Sequence, residues 1–136
     1  MREIRPVTKV IIIKNGKILL LLRNKNLNEG ETIYDIPGGG VEFGETFEDA
    51  LTREVNEEVN LEIDIKGIVS NWSYTVNDEL HLVGLTFFAE YVSGNVKLSG
   101  EHESYQWIDI NKINYFHVPK WLEKEVNMAI KKFNLK

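Results

Sequence analysis

Two apolar runs, Val10–Ile13 and Ile18–Leu22, stand on either side of Lys14-Asn15-Gly16-Lys17. Asn-Gly between such runs is a strong signal for a tight hairpin, because both residues accept positive φ. The runs are continuous rather than alternating, and strands of that kind are covered on both faces. A helix competes for Ile18–Leu22, but the turn beside it keeps it brief. The chain is thereby constrained to build a sheet with a packed layer on each side. Its 136 residues are one domain's worth, and 1–136 is expected to form a single domain. A content of 43% hydrophobic and 27% charged residues excludes wholesale disorder. The absence of cysteine excludes disulfides, thiolate catalysis and Cys-ligated zinc.

The remaining punctuation divides the chain into short elements. Asn24 to Thr32, with Gly30 inside, reads as a polar loop. Ile33–Ile36 is a strand candidate ended by Pro37, and Gly38-Gly39-Gly40 follows. Val41-Glu42-Phe43 is expected to be another strand, closed by Gly44. Thr46 to Asn60 is the clearest helix: Thr46 caps it, Asp49 suits a capping box, and Leu51, Val55 and Val59 make an apolar stripe. Alternation at Leu61, Ile63 and Ile65 predicts a strand that continues through Ile68-Val69, with Trp72 and Tyr74 on a further strand or its edge. A turn at Asn77–Glu79 precedes a long central strand over Leu80–Val92. Ser99–Ser104 is an acidic loop, Tyr105–Ile108 a strand, and Asp109–Ile113 a helical turn. Pro119 opens a last helix from about Lys120 to Phe133, with Leu122, Val126, Ala129, Ile130 and Phe133 as its buried stripe. Lys131, Lys132 and Lys136 give it a basic C-terminal end. Strands outnumber helices, which predicts a mixed sheet with helices on its faces, an α/β fold.

The chemistry concentrates on the first helix. Glu54, Glu57 and Glu58, at i, i+3 and i+4, cover an arc of roughly 100° beside the apolar stripe. A solvated face is one reading of such a triplet. Carboxylates that touch an apolar stripe are half buried, however, and half-buried like charges are costly unless a cation sits among them. Oxygen ligands suit Mg²⁺ or Mn²⁺, and nothing near in sequence supplies the sulfur or imidazole that zinc favours. The three glycines ahead of the helix let bare backbone approach whatever the helix holds. Carboxylate-held cations beside exposed backbone suit phosphate chemistry.

Gly39, then five residues, Glu45, then seven residues, and Arg53-Glu54-Val55-Asn56-Glu57-Glu58-Val59-Asn60-Leu61 resembles the box of the Nudix hydrolase family, the MutT-like nucleotide pyrophosphohydrolases, over 23 residues. One position departs: the family usually has Gly where this chain has Asn60, a residue that also visits the left-handed region. The resemblance implies a Nudix-type α/β/α sandwich with a mixed β-sheet. It also implies hydrolysis of a diphosphate linkage in a nucleoside triphosphate or related nucleotide, with Mg²⁺ or Mn²⁺ neutralising the phosphates and activating water for in-line attack. ADP-ribose or another nucleoside diphosphate sugar is the alternative substrate, and a catalytically silent nucleotide-binding module the alternative role. Relatives acting on ADP-sugars usually carry a Pro near position 76, where this chain has Val76.

Residue by residue, the resemblance makes Glu54, Glu57 and Glu58 metal ligands, joined by the carbonyl of Gly38. Glu45 and Arg53 support them. The general base is a box glutamate such as Glu57 or Glu54, or a loop glutamate, Glu101 or Glu103, of which Glu101 better matches the acidic loop of relatives. His102 between them reads as an exposed histidine that is neither base nor ligand, with a proton shuttle as its alternative. Arg23, at the end of a strand, would face substrate phosphate, with Gly39 and Tyr74 also on the substrate. Trp72, Tyr74 and Phe88 are candidates to stack on a base, each with a core role as its alternative. Trp107 reads as packing, His81 as core or edge, and His117 and Trp121 as a far pocket wall. A small nucleotide is the implied partner. A net charge of −5 disfavours polymeric nucleic acid. The start, Met1–Pro6, lacks a signal-peptide core and no apolar run could span a bilayer, so a cytoplasmic protein without membrane contact is expected. A homodimer is left open.

Overall fold

In the computed structural model of the protein, which describes residues 1–26 and 31–135, the Asn15-Gly16 turn forms as expected, with φ of 50° and 76°. It joins β1 (Glu3–Lys14) to β2 (Lys17–Asn26). The two strands pair only beside the turn, at Ile13↔Ile18 and Lys14↔Lys17, and then splay apart. The gap between them is filled from both sides. β3 (Glu31–Asp35) pairs antiparallel with β2, and β4 (Gly38–Gly40) pairs antiparallel with β1 through Val7↔Gly40, Thr8↔Gly39 and Lys9↔Gly38. β6 (Leu80–Ser93) runs parallel to β1 along its length, and β5 (Glu62–Thr75) lies antiparallel on β6. β7 (Ser104–Asp109) pairs with the other edge of β2. The result is a mixed seven-stranded sheet.

Alternate residues of the apolar strands face opposite layers, which is why the runs are continuous. Val10, Ile12, Leu19, Leu21 and Phe87 pack against Leu51, Val55 and Val59 of α1 (Phe47–Val59). Ile11, Ile18, Leu20 and Phe88 pack against Leu122, Val126 and Ala129 of α2 (Lys120–Phe133) and against Ile110 and Ile113 of a 3₁₀ turn, Ile110–Tyr115. This is the α/β/α sandwich. Among the described residues, no helix is long and apolar enough to cross a membrane.

Three local expectations are corrected. The segment Asn24–Thr32 is not all loop, because β2 continues to Asn26 and β3 begins at Glu31. Residues 27–30, with Gly30, and Lys136 lie outside the described residues. The strand expected at Val41–Phe43 lies instead on the glycines themselves, and Phe43 is fully exposed. The two segments expected around Val69 and Trp72 are one strand, β5, kept continuous through register shifts at Glu62/Ile63, Ile65/Gly67 and Ile68/Ser70.

Candidate active site

α1 carries most of the site, and its ends are fixed by side chains. Thr46 Oγ1 accepts from the Asp49 amide at 3.0 Å. Asn60 closes the helix in the left-handed region, at φ 60° and ψ 38°, its amide donating to Asn56 O at 3.0 Å. Asn thus does the work expected of the family's Gly. Beyond the helix, Lys97 N and Ser99 N donate to the carbonyls of Val59 and Glu58. Those bonds steer the following loop past the end of α1, and Glu103 N then donates to Leu22 O at the head of β7.

That course brings Glu101 and His102 to Glu58. The three offer ligand atoms that all lie within 4.8 Å of one another. Glu58 and His102 are buried, at 7% and 8% exposure, and Glu101 is exposed. The Gly38 amide donates to Glu58 Oε1 at 3.2 Å. Burial pushes the Glu58 carboxyl up to about 7, against the pull of the Gly38 amide and of Lys9. Burial pushes the His102 pKa down, which favours the neutral ring, and among the described residues its Nδ1 has no hydrogen-bond partner. A neutral imidazole with a free buried nitrogen beside two carboxylates is a donor set that fits a divalent cation. The reading of His102 as exposed is therefore corrected: it is buried, and the fold brings an imidazole from a distant part of the sequence to Glu58.

Glu54 and Glu57 are placed differently. Arg53 donates to Glu54 at 3.0 Å, to Glu57 at 3.3 Å, to both oxygens of Glu45 at 2.7 and 2.9 Å, and to Gly40 O at 3.1 Å. Hydrogen bonding to Glu45 raises the Arg53 pKa, and the same bond holds Glu45 at about 2. The hub ties the glycine strand to the helix. Glu54 lies directly on Gly39, where a Cβ would come within 2.4 Å of its carboxyl carbon. A Cβ on Gly38 would come within 2.1 Å of Thr8 O. Gly38 is required by close approach to backbone, whereas at Gly39 a side chain would displace the Glu54 carboxylate. The Glu57 side chain is 60% exposed.

In the gap between β1 and β2, Lys9 Nζ donates to both oxygens of Asp35, at 3.1 and 3.2 Å, and its charge acts on Glu58 and His102. Sequence reasoning missed this pair. Its signal is a lone lysine interrupting the apolar stretch Val7–Ile13. Arg23 does not end its strand but lies exposed within β2, opposite Ile33, and also acts on His102 through its charge. Glu103 is exposed and outside the three-residue cluster. Tyr74 is 62% exposed on β5. Phe88 is core, 4.9 Å from the Phe133 ring, and so is no stacking platform. Trp107 packs against Tyr91 on the α1 face. His81 faces Thr75 across the β5–β6 edge at 3.1 Å, and Trp121 is half exposed at the start of α2.

A buried carboxylate and a buried imidazole thus meet beside a bare glycine backbone at the split of the sheet, a donor set that fits a divalent cation. The family profile for the NUDIX domain matches residues 4–129, and the chain belongs to this family. An ADP-ribose pyrophosphatase of Methanocaldococcus jannaschii is 33% identical over 104 residues, 76% of this chain and 60% of that one. An oxidized purine nucleoside triphosphate hydrolase of Danio rerio is 31% identical over 80% of this chain and 69% of that one. NAD-capped RNA hydrolases NudC of Pseudomonas aeruginosa are 35% identical, and the chain spans only 36% of their length. The crystal structure of a MutT protein from Methanosarcina mazei superposes with a TM-score of 0.79 at 26% identity, covering 99% of this chain and 98% of that one.

Proposed function

We propose that the protein is a divalent-cation-dependent hydrolase of the diphosphate linkage in a nucleoside triphosphate or related small nucleotide. The observation that carries this is the meeting of Glu58, Glu101 and His102 at the end of the glycine strand, in a chain of this family. Mg²⁺ or Mn²⁺ is the cation, and the imidazole nitrogen gives Mn²⁺ the better fit of the two. When bound, it supplies neutralising charge for the phosphates and a more acidic water.

The chain's own residues do the rest. Glu58, Glu101 and His102 hold the cation, with Glu54, Glu57 and the Gly38 carbonyl completing the shell. Arg53, locked by Glu45, holds Glu54 and Glu57 in place by hydrogen bonds. Glu101 takes the proton from the attacking water, with Glu57, Glu54 and Glu103 as the competing bases. Gly39 lets Glu54 lie on the glycine strand, where its carboxylate and the open backbone at Gly40 face the substrate, and Arg23 contacts a phosphate oxygen. The nucleoside lies over Trp72 and Tyr74. Trp72 of β5, Gly84 of β6, Val7 of β1 and Gly40 of β4 form one row across the sheet. Three strand spacings of about 4.8 Å separate Trp72 from Gly40, roughly the reach from a base to its outer phosphates.

The test is a panel of nucleoside triphosphates and ADP-ribose, with Mg²⁺ and with Mn²⁺, read as release of pyrophosphate, phosphate or monophosphate. Turnover is expected on a triphosphate, lost by about 100-fold or more in Glu58→Gln with folding retained. The 33% identity to an ADP-ribose pyrophosphatase favours ADP-ribose as the second reading, and the same panel decides between them. A silent panel would leave a nucleotide-binding module.

A further inference from the structure

α2 buries a carboxylate on its apolar side. Glu125 lies one turn from Leu122 and beside Val126, at 8% exposure. Among the described residues it has no cationic partner: its contacts are Ser70 Oγ, 2.6 Å from both carboxylate oxygens, and Thr86 Oγ1, which donates to Oε1 at 3.0 Å. A buried charge held by neutral hydroxyls is a poor device for stability, since an apolar residue would fill the same place at lower cost. The polarity of the network shows what it does. Thr86, 1% exposed, has one hydroxyl proton and gives it to Glu125. Its lone pair then points away, and Trp72 Nε1 donates to it at 3.1 Å. The indole ring lies flat across Gly84, where a Cβ would come within 2.3 Å of Cζ2. The ring is therefore fixed at two places, by a missing side chain beneath it and by an oriented hydroxyl at its nitrogen.

We propose that Glu125 and Thr86 are positioning residues that hold the Trp72 indole as a rigid platform for the nucleobase. This rests on the nucleotide reading above, through the row that links Trp72 to the glycine strand. Only an acceptor at 125 sets the Thr86 hydroxyl in this sense. An amide there can turn its N–H toward Thr86, so that the hydroxyl accepts at 125 instead of donating and is released from the one orientation in which the indole N–H now meets it.

The experiment follows the indole N–H resonance of Trp72, assigned by its loss in Trp72→Phe, in ¹H–¹⁵N spectra of the whole protein. Kinetics on the panel's best substrate and titration with ADP and GDP run alongside. Thr86→Val and Glu125→Gln are each expected to shift that resonance, speed its solvent exchange and raise KM by about 3- to 10-fold at unchanged kcat, the size of one lost hydrogen bond. Thr86→Ser, which keeps the hydroxyl, restores both. In a Trp72→Phe background neither substitution adds to KM. An indole resonance indifferent to Glu125→Gln overturns the proposal, and so does a KM that rises additively in the Trp72→Phe background. A resonance that moves while KM and nucleotide titration stay unchanged also overturns it. Should the wild type hydrolyse nothing on the panel, the hydrolase reading falls, yet the indole response to ADP or GDP still decides the platform.

Discussion

Gly39 marks how little space one atom has beside the cation-holding site. A methyl group there meets the Glu54 carboxyl at 2.4–2.6 Å. The obstacle is the far end of a flexible side chain, so Glu54 can turn away at small cost in stability, while its place over the glycine strand is lost. Gly39→Ala is expected to lower kcat/KM by about 10- to 100-fold, as for the loss of a group that orients metal ligands, while the melting temperature changes by only a few degrees. Steady-state kinetics beside thermal melts check this, and an active Gly39→Ala enzyme would remove Glu54 from the machinery. The glutamates were legible in the sequence because spacing on a helix fixes which residues share a face. His102 was not. Its burial depends on Ser99 and Lys97 docking on the carbonyls at the end of α1, about 40 positions earlier in the chain, and no local pattern records such a bond.

At the scale of elements, both helices and the hairpin could be read because their signals are side chains: caps, stripes and an Asn-Gly turn. β4 could not, because a strand of three glycines has no side-chain alternation to read and pairs through backbone alone. The extent of β2 and β3 was hidden for a related reason, since polar residues around Asn24 look like loop whether or not their backbone is paired. Asn60 sits between these cases. Its left-handed geometry was foreseeable, and its side chain adds a bond that only the fold supplies, Nδ2 to Asn95 O at 3.3 Å. Asn60→Ala places a Cβ-bearing residue without that bond at φ 60° and is expected to cost about 1 to 2 kcal/mol in urea unfolding. Asn60→Gly gains backbone freedom there and loses the bond, and is expected to fall within about 0.5 kcal/mol of wild type. A large loss in Asn60→Gly would mean that the contact with Asn95, rather than the helix end, is what the residue provides.

For the whole molecule, the burial of Glu58 couples folding to pH, and the proposed cation would add a second coupling. Glu58 titrates near 7 in the fold, above its ordinary 4.5. The stability contributed by its proton is complete below about pH 4.5 and is lost as pH rises through 7. Two groups act in the opposite sense. Glu45, held at about 2, contributes stability above pH 4.5 that disappears as pH falls toward 2. His102, held below its ordinary value, favours the fold above about pH 6.5 and weakens it as acid protonates the unfolded chain first. The raw profile mixes all three, so the informative quantity is the difference between wild type and Glu58→Gln without metal. Near pH 4.5 the two should be nearly equal. By pH 8 the variant should be the more stable by at most about 3 kcal/mol, the equivalent of the Glu58 shift, or roughly 10 °C in melting temperature for a chain of this size. Saturating Mn²⁺ should invert the order at pH 8, because a cation favours the ionised carboxylate that burial opposes and the variant has no such ligand to offer. Parallel pH profiles with and without Mn²⁺ would mean that Glu58 is neither strained by burial nor relieved by a cation, and the site would lose its reason for burying a charge.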